Sequence, residues 1–219
     1  GVLAQRKPYY SLEAELVLET VSGSTSRQIP INGSRSSFSF NVVERPLRLT
    51  VDPQIHLFRR LDSQEIPPTV NSIKGADTLT VVVAAALNKR WLTIARRLCA
   101  ALGVDNAKIV REAEFALYPV DREPVLWIGK PGDATRLSVY SDRFTLDEKE
   151  FQVSGASYSR KEASFFGVFK TNDTSDRLIS LFLPESYELA AVLISKIPHY
   201  GKYSYLVFQG AKNQMKGTW

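Results

Sequence analysis

The chain has one cysteine, two histidines and one methionine in 219 residues, and the first two scarcities each remove a class of chemistry. A lone cysteine, Cys99, closes no intrachain disulfide and builds no multi-cysteine zinc or iron–sulfur site. The histidines, His56 and His199, stand far apart, and neither sits in the His-Glu-x-x-His spacing that places two imidazoles on one helix face for a hydrolytic zinc. No metal site and no cofactor are therefore expected. A Gly-x-Ser-x-Gly elbow is missing as well, and neither histidine has the context of a catalytic triad. No apolar run approaches the ~20 residues of a membrane span. The longest clean one, residues 81–87, suits a buried strand. Charge of one sign is also scarce: 28 Lys and Arg against 23 Asp and Glu leave +5. The basic pairs Arg59-Arg60, Lys89-Arg90, Arg96-Arg97 and Arg160-Lys161 fall in separate predicted elements without an RNA-binding motif, so no nucleic-acid partner is expected. The opening Gly1-Val2-Leu3-Ala4 runs directly into Gln5-Arg6-Lys7-Pro8, which is not the pattern of a signal peptide. It reads as a cut inside a longer protein.

What is present is two kinds of pattern. From Tyr9 to about Val51 the apolar residues recur with a period near two, as in half-buried strands. Leu12, Ala14, Leu16 and Leu18 form a core face, and Glu13, Glu15 and Glu19 a solvent face. The cluster Ser22-Gly23-Ser24-Thr25-Ser26 predicts a break, short strands follow at 28–31, 36–43 and 47–51, and Asn32-Gly33 predicts a hairpin turn of positive φ. Such strands without helices predict a small antiparallel β-sandwich, with residues 1–7 as a further edge strand, with the sheet packed on the rest of the chain, or with strands lost upstream. Between 52 and 75 the pattern stops, and Ile66-Pro67-Pro68-Thr69 reads as a stiff connector. The expected domains are 1–65, the sandwich, and 66–219.

After Gly75 the grammar becomes that of an α/β domain with a mixed sheet and few helices, and the fold class is mixed α+β. Residues 78–84 predict a strand covered on both faces. Asn88 is the expected cap of a helix carrying Trp91, Ile94, Ala95, Leu98 and Leu102, with Gly103 as its stop. Strands are predicted at 108–115, 125–128, 137–140, 144–146, 151–153 and 165–170, with a polar hairpin tip at Asp147-Glu148-Lys149-Glu150. Residues 177–183 suit strand or helix, Ser186 caps a helix over 187–196, and 203–208 is the closing strand.

Three candidate chemistries arise from these residues. Gly129-Lys130-Pro131-Gly132 follows a strand, but Pro131 removes a donor and no helix follows, so a tight turn is favoured over a phosphate cradle. Cys99 beside the apolar helix face reads as a small core residue ahead of a nucleophile activated by Arg96 and Arg97. The cluster His199, Tyr200, Lys202, Tyr203 and Ser204 is either a ligand site at a helix–strand turn or a rigid corner. In the corner reading Pro198 stops the helix, Gly201 takes a special backbone shape and the tyrosine hydroxyls are hydrogen-bonded.

Two segments carry a resemblance. Asp52-Pro53 through Phe58-Arg59-Arg60-Leu61 and Glu65-Ile66-Pro67-Pro68-Thr69, together with Lys196-Ile197-Pro198-His199-Tyr200-Gly201-Lys202-Tyr203-Ser204-Tyr205-Leu206, resemble the C-terminal region of bacterial envelope gluzincin zinc aminopeptidases of the membrane-alanyl type. Some of these are fused to ChaN-type haem-binding lipoprotein domains. The resemblance implies an immunoglobulin-like sandwich over Tyr9 to Arg60, an envelope location and a partner domain upstream on the same polypeptide. The family's zinc motif and its Gly-x-Met-Glu-Asn substrate motif are missing here, so no catalytic residue carries over. The expectation is a non-catalytic accessory module. The alternatives are a small-ligand-binding domain with an unidentified ligand at His199–Ser204, and a small enzyme using Cys99.

Overall fold

The computed structural model describes residues 1–61, 65–115, 123–133, 143–171 and 177–219. The expected strand at 137–140 lies outside them. The chain is mixed α and β, with several antiparallel sheets and one mixed sheet, and it divides into two compact units, Gly1–Leu61 and Asp62–Trp219.

In the first unit β1 (Val2–Ala4) pairs antiparallel with β4 (Arg35–Ser37), and β3 (Gly23–Ile31), β2 (Leu12–Thr20) and β5 (Arg48–Val51) form an antiparallel sheet in that order. Period-two alternation works as expected on β2, where Ala14, Leu16 and Leu18 are buried. The Ser22–Ser26 break is corrected. Residues 21 and 22 alone make the turn, and Ser24, Thr25 and Ser26 extend β3, because nine consecutive pairings with β2 outweigh weak local strand preference. The Asn32-Gly33 hairpin is corrected too. Neither residue has positive φ, and β4 pairs with β1 rather than β3. The expected strand at 36–43 shrinks to three residues because β1 offers only three partners, although Phe38 and Phe40 still pack on the small core.

The second unit is three layers. Its central sheet runs β15-β14-β12-β13-β8-β6-β7, from β6 (Leu79–Val83), β7 (Ala107–Arg111), β8 (Val125–Ile128), β12 (Ser164–Lys170), β13 (Leu178–Leu183), β14 (Tyr205–Gln209) and β15 (Lys212–Gly217). The pairings among β7, β6, β8 and β13 are parallel, and the others are antiparallel. One face is covered by α1 (Trp91–Leu102) and α3 (Tyr187–Lys196). Trp91 meets Tyr187 edge-on at 5.4 Å, and α1 buries Ile94, Ala95, Leu98 and Leu102 as its spacing predicts. The other face is covered by a three-stranded antiparallel sheet, β9 (Phe144–Leu146), β10 (Glu150–Val153) and β11 (Ala156–Ser159). Phe144 stacks on Phe165 at 4.6 Å, and Trp219 stacks on Phe169 at 4.8 Å.

Most predicted elements of this unit are present; three need correction and one open alternative is resolved. The strand at 108–115 becomes β7 followed by one helical turn, α2 (Glu112–Phe115). Asn88 lies two residues before the N-cap and accepts from Arg90 N–H, so it shapes the approach and not the cap. The ambiguous stretch is strand β13. The segment at 203–208 is followed by a further strand, β15, whose alternating polar sequence hides it. Gly103, left-handed at φ 68°, and Ser186, accepting from Leu189 N–H at 3.2 Å, end and start their helices as expected.

Ser180 of β13 is fully buried, and its hydroxyl has no hydrogen-bond partner among the described residues. Ser180→Ala removes an unpaired polar group from an apolar layer and is expected to leave stability unchanged or raise it by about 1 kcal/mol, read from the denaturant midpoint. A clear loss of stability contradicts this.

Candidate functional site

The parallel strands set the geometry. From β6 the chain passes through α1 to β7 on one side, then returns to β8 on the other side of β6. In open α/β sheets such a reversal leaves a crevice outside the carboxyl ends of the strands. A hollow of about 370 Å³ lies there, lined by the segments after β6 (residues 84–87) and after β8 (129–132) and by the end of β13 (Leu183) with Pro184 beyond it, with Glu112, Glu148 and Arg160 at its sides.

Each wall is pinned by groups the sequence supplies locally. Glu112, first residue of α2, accepts from Ala85 N–H at 2.8 Å and from Gly132 N–H at 2.7 Å, one carboxylate oxygen each. It thereby ties the loop after β6 to the loop after β8. Arg111 holds the other side of the first loop through the Ala85 and Asn88 carbonyls. Gly129 N–H donates to Phe182 O at 2.8 Å, and this residue is left-handed at φ 86° with Leu87 Cδ1 2.7 Å from where a Cβ would stand. Only glycine fits there, for the left-handed backbone and for the close approach together. The expected tight turn is corrected: the segment Gly129-Lys130-Pro131-Gly132 bends at Gly129 and at Gly132 without a hydrogen-bonded turn, and it forms a wall of the hollow.

Lys130 Nζ donates to Glu148 Oε1 across the mouth, and Arg160 Nη1 donates to the Glu148 carbonyl at 2.9 Å. The hydrogen bond and the charge of Lys130 hold the Glu148 carboxyl below its ordinary range. The hairpin tip at 147–150 forms as expected, with Asp147 accepting from Lys149 and Glu150 N–H. Sequence reading named this tip and the pair Arg160-Lys161 but gave neither a role in a site. Glu112 was inside a predicted strand. The missing signal is the order of the strands, which brings four segments distant in sequence to one edge.

The sequence-predicted cluster is arranged differently. After α3 a 3-10 turn, Ile197–Tyr200, carries Pro198 and stops the α-helix. His199 is exposed and Tyr200 half-buried, with its ring 6.3 Å from Tyr203 and 6.0 Å from Phe208. Lys216 Nζ sits over both tyrosine rings, at 5.4 and 5.1 Å, and Lys202 Nζ lies 5.5 Å from the Tyr203 ring. Ser204 is buried, its hydroxyl 3.4 Å from Trp219 N, so it is turned into the sheet layer. Two details of the corner are corrected. The Tyr200 and Tyr203 hydroxyls have no hydrogen-bond partner among the described residues, and the contacts of these side chains are made by the rings. Gly201 has ordinary φ, −47°, and its role is close approach: Asn71 Oδ1 is 2.1 Å from its would-be Cβ, while Asn71 N–H donates to Gly201 O and Val70 N–H to Tyr203 O.

Cys99 is buried in the helix-side core, and burial pushes its thiol up to about 11, so the neutral form prevails at neutral pH. His56 is exposed and gives its backbone N–H to Asp52. Among the described residues no group of three His, Cys, Asp or Glu is placed to hold a metal ion, and no helix is long and apolar enough to cross a membrane. A larger hollow of about 540 Å³ in the first unit is lined by Leu3, Pro8, Tyr10, Leu57 and Phe58. Its polar lining is Gln5, Arg6 and Arg59, of which Gln5 is spent on the backbone of Tyr10 and Gly33 and Arg59 donates to the Val51 carbonyl at 2.9 Å. Compared with known proteins, the chain matches no family model and no curated sequence.

Proposed function

We propose that this chain is a non-catalytic binding module, and that its ligand site is the hollow at the carboxyl edge of β6, β8 and β13 and not the corner at His199–Ser204. The observation that carries the reading is the state of the charged groups around the hollow. Glu112 spends both oxygens on backbone N–H groups, Glu148 is ionised against Lys130, and Arg160 is held by carbonyls. Acid–base catalysis needs a group that gives or takes a proton near neutral pH. The arrangement here favours holding a molecule over transforming it.

The resemblance of the two segments supports an accessory role beside a catalytic domain of the gluzincin aminopeptidase type in the cell envelope, with the first unit as an immunoglobulin-like sandwich. Under this reading the upstream domain is the partner and the hollow contributes recognition. A mixture of small aromatic fragments is expected to shift the backbone amides of residues 84–87, 129, 130 and 132, and aminoacyl p-nitroanilides are expected to remain intact with zinc added. Shifts confined to residues 199–204, or zinc-dependent release of nitroaniline, overturn the proposal.

A further inference from the structure

We infer that the hollow takes a small organic carboxylate with an apolar body, and that the Glu148 side chain occupies the anion position until such a ligand displaces it. The inference rests on the reading of the hollow as the binding site. It starts from an asymmetry in one ion pair. The Lys130 side chain is only 16% exposed, set into the wall, whereas its partner Glu148 is 80% exposed on a hairpin tip. Such a carboxylate has little to hold it besides Lys130, and an exposed pair contributes little to stability. Lys130, by contrast, is set into the wall and partly desolvated, with an exposed internal anion as its partner.

The remaining charges say which ligands fit. Lys130 and Arg160 are cationic, and Glu112 and Glu148 anionic. With Glu148 swung out to water, Asp147 still faces Arg160 and Glu112 is spent on backbone N–H groups, so Lys130 is the cation whose carboxylate partner one ligand anion would replace. Glu112 already fills the place between the Ala85 and Gly132 N–H groups that a phosphate would otherwise take. The anion site left over is a side-chain site suited to one carboxylate. Leu87, Pro131, Leu183 and Pro184 supply an apolar wall for the rest of the molecule, and a volume of about 370 Å³ is of the size used for small ligands.

The test uses three probes of one shape, benzoate, benzamide and benzylamine, titrated into the whole chain while the amides of residues 84–87, 129, 130 and 132 are followed. Benzoate is expected to bind and the other two not. Affinity for benzoate should rise roughly two- to fivefold in Glu148→Gln, which removes the competing charge. It should fall about tenfold or more in Lys130→Met, which keeps the alkyl stem and deletes the ammonium. If Lys130→Met does not fold, Glu148→Gln at the exposed tip still decides. Equal binding of benzamide and benzoate, or affinity unchanged or reduced in Glu148→Gln, overturns the carboxylate inference and leaves the hollow as the site. Silence of these amides toward all three probes overturns both.

Discussion

Replacing Phe165 by alanine is expected to lower the stability of the second unit by about 3–5 kcal/mol, the largest effect of any single substitution in it. Phe165 is fully buried on β12, near the middle of the seven-stranded sheet. Its ring is stacked under Phe144 at 4.6 Å, lies 5.3 Å from Phe151, and is 6.3 Å from Phe169. It is therefore a central contact between the β9–β11 layer and the seven-stranded sheet, beside Phe144 on Phe169 at 5.3 Å and Ser154 on Tyr205. The space its ring occupies is made by Gly167, where a Cβ would stand 2.5 Å from Phe165 Cζ. That crowding shows how little the surroundings could collapse into a cavity, which puts the cost toward the upper end. For a unit of this size the loss corresponds to a melting temperature lower by about 10 °C. Val192→Ala, at a position 43% exposed on α3, serves as the control and is expected to stay within about 0.5 kcal/mol. A loss below about 1.5 kcal/mol for Phe165→Ala would show that the second layer does not depend on this ring.

The second large effect belongs to Asp52, in the first unit. Its carboxylate is buried and accepts from His56 N–H at 2.8 Å and Leu57 N–H at 2.9 Å, with Arg59 Nε 4.0 Å away. These bonds hold a strained loop: Asp52 itself is left-handed at φ 52°, and so is the β-branched and exposed Ile55 at φ 56°. Asp52→Ala leaves two N–H groups without their acceptor and puts alanine in a left-handed position, and the expected cost is about 2–3 kcal/mol. Asp52→Asn keeps an acceptor and tolerates the backbone shape, so it should cost less. Fast hydrogen exchange at His56 and Leu57 amides in Asp52→Ala is the readout, and exchange as slow as in the unmodified chain contradicts the assignment.

The same carboxylate makes a pH prediction. Burial by itself would raise its pKa, but the Leu57 and His56 N–H groups, with Arg59 behind them, outweigh burial and hold it below its ordinary value of 3.8. The unfolded chain therefore binds more protons than the folded one over the interval between the two values. Stability from this group is complete above about pH 4 and is lost as pH falls through the lower folded value. The His56 and Leu57 amide shifts are expected to titrate below 3.8.

Legibility in the sequence stops where strand order begins. Alternation on Leu12, Ala14, Leu16 and Leu18 located β2 and its buried face, because period two is a local property of one strand. Gly103 and Ser186 marked helix ends for the same reason, since caps are local chemistry. The turn cluster at 22–26 misled because the ladder with β2 is a non-local gain that no local preference reveals. Gly201 was legible as a special position, yet the cause is Asn71, which approaches from 130 residues earlier in the chain. Of the hollow only the segment Gly129-Lys130-Pro131-Gly132 was legible, as a phosphate cradle set aside for a turn. Glu112, Lys130, Glu148 and Arg160 come from four segments that only the order β13-β8-β6-β7 and the packing of the β9–β11 layer bring together.

The central claim, that the carboxyl-edge hollow is the binding site, is tested most directly by comparing benzoate binding in two variants of the whole chain. Ala86→Trp puts a large ring into the hollow from an exposed position, and His199→Ala with Tyr200→Phe, Lys202→Met and Lys216→Met removes the imidazole, one hydroxyl and both cations of the corner. The account predicts that Ala86→Trp abolishes binding while the corner variant binds as the unmodified chain does. Binding that survives Ala86→Trp and is lost from the corner variant would contradict it.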